Sequence, residues 1–167
     1  MNALVGAAKR AAKVAVCHVL YYTGVLQLWQ RVAMRQRAVV LMYHRVLSTE
    51  ERQCTGSHPA LIVDSATFEQ HMRLLKRRFR VLTLAEFSRC MEERTPFPDS
   101  ACLITFDDGW QDNVINALPI LERHRLPALI FLPFSFIGTE RLFWPEALTN
   151  VLVEAVEAVH ADPARRP

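Results

Sequence analysis

Short apolar runs separated by stretches of helical spacing predict an α/β fold built on a mainly parallel sheet, open or closed into a barrel. Three observations carry this expectation. Continuous apolar runs at 38–43, 101–106 and 127–132 read as strands buried on both faces. Residues at helical spacing lie between them and after the last. The chain of 167 residues, with 51% apolar and 22% charged residues, has the size and composition of one ordinary domain. Disorder is excluded by the apolar content, and collagen-like or low-complexity classes by only five Gly and nine Pro. Cys17, Cys54, Cys90 and Cys102 form no close-spaced pair, so neither a zinc ribbon nor a disulfide scaffold is indicated.

The elements follow in order. Residues 1–37 carry Lys9, Arg10, Lys13, Arg31, Arg35 and Arg37 and no acid, a local charge of +6, which leaves −3 for residues 38–167. Between the basic clusters, residues 14–30 are uncharged and mostly apolar and include Tyr21, Tyr22 and Trp29. The stretch is shorter than the ~20 apolar residues of a spanning helix. No small-residue cleavage site follows it, as a signal peptide requires. A leader helix lying in a membrane interface fits these features, with packing on the domain as the other reading. The basic residues flank an apolar stretch instead of forming a stripe, so no nucleic-acid partner is expected. After the strand at 38–43, residues 47–63 read as a loop. A helix capped by Asp64 or Ser65 runs to Arg78 with Phe68, Met72 and Leu75 inward. Residues 81–84 read as a brief strand, 85–93 as a short helix and 95–99 as a Pro-rich break. The strand at 101–106 precedes Asp107-Asp108-Gly109. A helix spans 112–124, bent by Pro119. A strand covers 127–132, and a terminal helix starts at Pro145 and reaches about residue 160.

The strongest chemical signal is the strand that ends in two carboxylates. Asp-Gly between apolar runs is a common hairpin turn, but helical spacing follows Gly109, so a strand hands over to a helix here. In α/β folds the carboxyl ends of the strands form the site rim. The dipole of the following helix accounts for Asp112, and less well for Asp107 and Asp108. Two adjacent acids point in different directions: one can bind a metal while the other holds or deprotonates a water. Gly109 lets the backbone turn and leaves room for a ligand.

The run Thr105-Phe106-Asp107-Asp108-Gly109-Trp110 resembles the first motif of the polysaccharide deacetylases, the NodB-homology or carbohydrate esterase family 4. The resemblance continues through Asn113, Leu118-Pro119-Ile120-Leu121, the turn at 124–128 and Ile130-Phe131-Leu132. Val40-Leu41-Met42-Tyr43-His44-Arg45-Val46 is similar to the opening strand of one branch of that family. The resemblance covers residues 38–146 and implies an incomplete (β/α) barrel: a leader helix at 1–37, the N-terminal part of the barrel at 38–144, and a terminal helix and tail at 145–167. A closed barrel of this type takes ~250 residues.

The resemblance further implies hydrolysis of N-acetyl groups on an N-acetylated polysaccharide or oligosaccharide, with a divalent metal, commonly zinc. Asp107 would be the catalytic base and Asp108 a metal ligand. His44 and Trp144 are candidate substrate-binding residues, each equally open to a packing role. The family's two downstream histidines, in a His-x-x-x-His pattern, have no counterpart, since only His124 and His160 follow. A catalytic zinc generally takes three protein ligands. The alternative function is therefore a non-catalytic scaffold or glycan-binding remnant of the same fold. A haloacid-dehalogenase-type phosphatase would want Asp-x-Asp and fits less well. The expected setting is the bacterial cell envelope or an association with the cytoplasmic membrane.

Overall fold

A computed structural model describes residues 2–139, 141 and 144–161. Two helices open the chain, α1 (Asn2–Tyr22) and α2 (Val25–Ala33), where one leader helix was expected. The break falls at Thr23-Gly24. Gly24 has φ +79, a backbone that residues with a side chain adopt at a cost, and the two helices diverge by 73°. Among the described residues no single helix is long and apolar enough to cross a membrane, although the bent pair passes by length and composition.

The body of the fold is a four-stranded parallel sheet. β1 (Ala38–Tyr43) pairs along its whole length with β5 (Ala101–Phe106), from Ala38 opposite Ala101 to Tyr43 opposite Phe106. On the other side of β5, β4 (Arg80–Val81) pairs with its start and β6 (Leu129–Ile130) with its end. All six residues of β5 are buried, as a central strand requires. β1 departs from the expected two-sided burial. Val39, Leu41 and Tyr43 face the helices, whereas Val40 and Met42 on the other face are 49% and 60% exposed. β6 is also shorter than the apolar run 127–132, which opens on Pro127, a residue with no N–H to donate to a ladder.

The presumed loop at 47–63 is structured. β2 (Arg45–Leu47) pairs in parallel with β3 (Ile62–Asp64), and α3 (Thr49–Gln53) lies between them, closed by a Ser48–Glu51 capping box. Asp64 then caps α4 (Ser65–Arg78) by accepting from the Ala66 N–H at 2.9 Å. α4 buries Phe68, Met72 and Leu75 as the spacing predicts. Thr83, expected in a strand, instead caps α5 (Leu84–Glu92) in a second capping box with Glu86. The predicted bend at Pro119 takes a specific form. Asn113–Ala117 is a wide π turn, followed by α6 (Leu118–His124), with Pro119 near its start. Widening the turn removes the clash that a proline ring makes with the carbonyl four residues back. α7 (Trp144–Ala161) closes the described chain. The core joins Tyr43, Phe68, Met72, Ile104, Phe106, Ile120 and Leu121 between the sheet and α4 and α6. The Tyr43, Phe68 and Phe106 rings meet within 5.1–5.8 Å.

Candidate functional site

Side chains alternate across a strand, so the parity of β5 places Leu103, Thr105 and the following Asp107 on the face away from α4. With Val40 and Met42 of β1 they line a recess of about 590 Å³, closed on other sides by Phe87, Phe131 and Leu132. The Asp107 N–H donates to the Tyr43 carbonyl at 2.9 Å, one bond beyond the regular ladder, and so fixes this carboxylate at the strand exit. By parity Asp108 belongs to the opposite face. Its backbone is left-handed, with φ +71, and this turns the residue back so that both acids line one recess. A residue other than glycine pays roughly 1–2 kcal/mol for that conformation. Gly109 continues the turn at φ +61, and a Cβ there would overlap the Leu132 side chain. Beyond the turn, Asp108 and Gly109 border a smaller cavity of about 250 Å³ that Arg141 and Phe136 also line.

The loop is stitched to the exit of β1 by residues that sequence reasoning missed or misread. Asp112 does not cap a helix. Its Oδ2 accepts from Arg45 Nε at 2.9 Å, and its Oδ1 accepts from the buried Val46 N–H at 2.8 Å. The Arg45 guanidinium also donates to the Thr55 and Ser57 hydroxyls at 2.9 and 2.7 Å and lies 4.4 Å over the Trp110 ring. Asn113 Nδ2 donates to the His44 carbonyl at 2.7 Å. Asn116 Nδ2 donates to the Val46 carbonyl at 2.9 Å and to Glu51 Oε2 at 2.8 Å. The signal available in the sequence was three polar residues, 112, 113 and 116, on one face of a segment otherwise apolar up to Leu121.

The remaining candidates are not gathered with the carboxylates. His44 is half-buried just after β1 and is not part of the lining of either acid-bearing cavity. Trp144 begins α7, and its side chain lies outside the described residues. His124 ends α6 and stands 3.5 Å from Glu69 of α4, across the sheet from the recess. Among the described residues no group of three His, Cys, Asp or Glu could hold a metal ion. Asp107 and Asp108 alone therefore do not fit a zinc site. Behind β1, burial pushes the Tyr43 phenol up to about 12, and its Oη shares a 3.2 Å hydrogen bond with His71 Nδ1.

Comparison with known proteins adds the following. Residues 94–160 match the family model described as polysaccharide deacetylase. YxkH of Bacillus subtilis, which carries the name of a polysaccharide deacetylase, is 31% identical over 111 residues, 66% of this chain and 37% of that protein. The poly-beta-1,6-N-acetyl-D-glucosamine N-deacetylase of Staphylococcus epidermidis is 31% identical over 113 residues, 63% of this chain and 39% of the relative. Among solved structures, IcaB from Ammonifex degensii superimposes with a TM-score of 0.52 at 28% identity, over 62% of this chain and 41% of that one. The chain thus spans about two fifths of the length of the curated relatives it matches.

Proposed function

We propose, on the premise that this chain is related over its matched residues to the polysaccharide deacetylases, that it carries the acid-bearing part of a glycan N-deacetylase site on an incomplete (β/α) barrel. The observation behind this reading is the convergence of Asp107 and Asp108 on one recess at the strand ends, within a family match that reaches residue 160. In this reading the substrate is an N-acetylated polysaccharide or oligosaccharide. The Asp107 carboxylate, held by its own backbone bond to Tyr43, accepts the proton of the water that attacks the acetyl carbonyl. Asp108 is assigned as one ligand of a divalent metal. A zinc site needs about three protein ligands, so the others must come from outside the described residues. When bound, such a metal supplies Lewis-acid polarisation.

Residues 1–37 form, in the same proposal, a basic and apolar leader resting on an anionic membrane surface at the cell envelope, ahead of the barrel part at 38–144 and the terminal part at 145–167. Acetate release from N-acetylglucosamine oligomers tests the catalytic reading. Release that Asp107→Asn abolishes supports it. Glycan binding without release, unchanged by Asp107→Asn, would favour the non-catalytic, glycan-binding alternative. That alternative draws on the lack of a metal-holding cluster among the described residues.

A further inference from the structure

The face of the sheet opposite the carboxylate recess carries a second constructed feature. An apolar cavity of about 500 Å³ opens between α2, the helix-facing side of β1 and α4. Leu26 and Trp29 of α2, Val39 and Leu41 of β1, and Leu74 and Phe79 at α4 form its walls. Its size falls in the ~300–1,000 Å³ range of ligand cavities. Its polar lining is Tyr43 and His71, whose polar atoms are turned on each other. Beside it, Arg31 of α2 and Arg77 and Arg78 of α4 border one small polar pocket with Gln27 and Ser100. The two spaces meet at Met34, which lines the cavity and whose carbonyl accepts from the Ser100 N–H at 3.1 Å.

Three guanidinium groups thus border one space with no carboxylate lining it. Arg45, Arg73, Arg80 and Arg123 all have a carboxylate within 3.6 Å, whereas among the described residues no carboxylate lies within ion-pairing distance of Arg31, Arg77 or Arg78. The neighbouring Asp99 is engaged with the Gln36 N–H at 2.9 Å. Three exposed or half-buried guanidinium groups on one pocket attract an anion, and their forks suit phosphate oxygens. An apolar cavity that ends at such a cluster matches a molecule with a hydrocarbon chain and a phosphate head.

We infer that α2 and α4 together form a binding site for an anionic lipid, its chain in the cavity and its phosphate on Arg31, Arg77 and Arg78. The inference deepens the membrane-surface reading of the leader and rests on it, but it assigns the specific contact to α4 as well. The exposed Leu28 and Val32 of α2 would continue the apolar surface into the same bilayer.

The test uses the full chain and four probes. These are dodecyl phosphate below its micellar concentration, inorganic phosphate, dodecyl maltoside, and vesicles of phosphatidylglycerol or phosphatidylcholine. Dodecyl phosphate should bind at least about tenfold more tightly than inorganic phosphate or dodecyl maltoside, since it alone fills both halves of the site. Arg77→Ser with Arg78→Ser, and separately Leu74→Asp at a half-exposed wall position, should each weaken it about tenfold. Arg89→Ser with Arg94→Ser, the same charge change elsewhere on the surface, should leave it within about twofold. Equal affinity for inorganic phosphate or for dodecyl maltoside would overturn the inference. So would indifference to both α4 variants, or displacement of dodecyl phosphate by a single-stranded oligonucleotide more readily than by phosphatidylglycerol vesicles. Lys9→Ser with Arg10→Ser and Lys13→Ser separates the two readings. If those changes leave vesicle binding intact while the α4 variants weaken dodecyl phosphate, the leader's electrostatic role fails and the lipid site stands.

Discussion

Removing the Asp112 carboxylate tests whether the acid-bearing loop is held from behind. In Asp112→Ala the Arg45 guanidinium, 15% exposed, loses its charged partner, and the buried Val46 N–H loses its acceptor. Breaking a buried ion pair costs ~3–5 kcal/mol, and orphaning a buried donor ~1–3. The two are not additive. Arg45 also keeps the Thr55 and Ser57 hydroxyls and the Trp110 face, so the expected loss is about 3–4 kcal/mol. That is a large share of the ~5–15 kcal/mol that stabilises an ordinary domain. Asp112→Asn keeps an oxygen for Val46 and should cost about half as much. Arg45→Met combined with Asp112→Asn, which leaves no unpaired charge, should come within about 1 kcal/mol of the wild-type chain. Urea unfolding followed by far-UV circular dichroism gives the four free energies of the cycle. Faster amide exchange at Val46 in Asp112→Ala would localise the effect. A loss below about 1 kcal/mol for Asp112→Ala, or a coupling energy within about 0.5 kcal/mol of zero, would refute the clamp.

The neighbouring turn makes two opposite expectations. Gly109→Ala should destabilise by about 1–2 kcal/mol, chiefly through left-handed backbone strain because the exposed Leu132 tip can turn aside, and adding Leu132→Ala should recover little, as thermal melts of the three variants would show. Asp108→Gly should raise stability by up to about 1 kcal/mol while abolishing any acetate release, because it relieves φ +71 and deletes a site carboxylate. Stability should also fall in alkali. Burial holds the Tyr43 phenol at about 12 and the Cys102 thiol at about 11, both above their unfolded values of ~10 and ~8.5. The folded chain thus keeps protons that the unfolded chain releases. Its contribution is full at pH 7 and is lost from about pH 9 to 12, and Tyr43→Phe should flatten the upper part of a urea-midpoint profile over that range.

What was legible in the sequence was whatever depended on one local pattern. The continuous apolar run at 101–106 became a strand with every residue buried, and Phe68, Met72 and Leu75 at helical spacing became the buried face of α4. The acids after Phe106 stood out because no helix or hairpin rule required them. The misreadings arose where a tertiary partner decided the outcome. Asp112 looks like a helix-terminus acid until Arg45, 67 residues away, is brought beside it. Val40 and Met42 are as apolar as Val39 and Leu41, yet only the latter pair meets helices. Residues 45–47 and 62–64 are too short to announce strands and exist by pairing with each other. The common aim of Asp107 and Asp108 depended on one backbone angle, which no spacing encodes.

The pairing of β1 with β5 carries a consequence for how the chain is made. Residue 38 finds its ladder partner at residue 101, so the first strand leaves the ribosome 63 residues before its hydrogen-bonding neighbour exists. At the ~5–20 residues per second of translation, that interval is about 3–13 s. Throughout it the apolar β1, with the apolar helices ahead of it, has no native sheet to join, while α4 can already form. A nascent chain in that condition invites chaperones or a bilayer to cover it. The order of synthesis therefore gives any surface that engages α1 and α2 several seconds of priority over the fold itself.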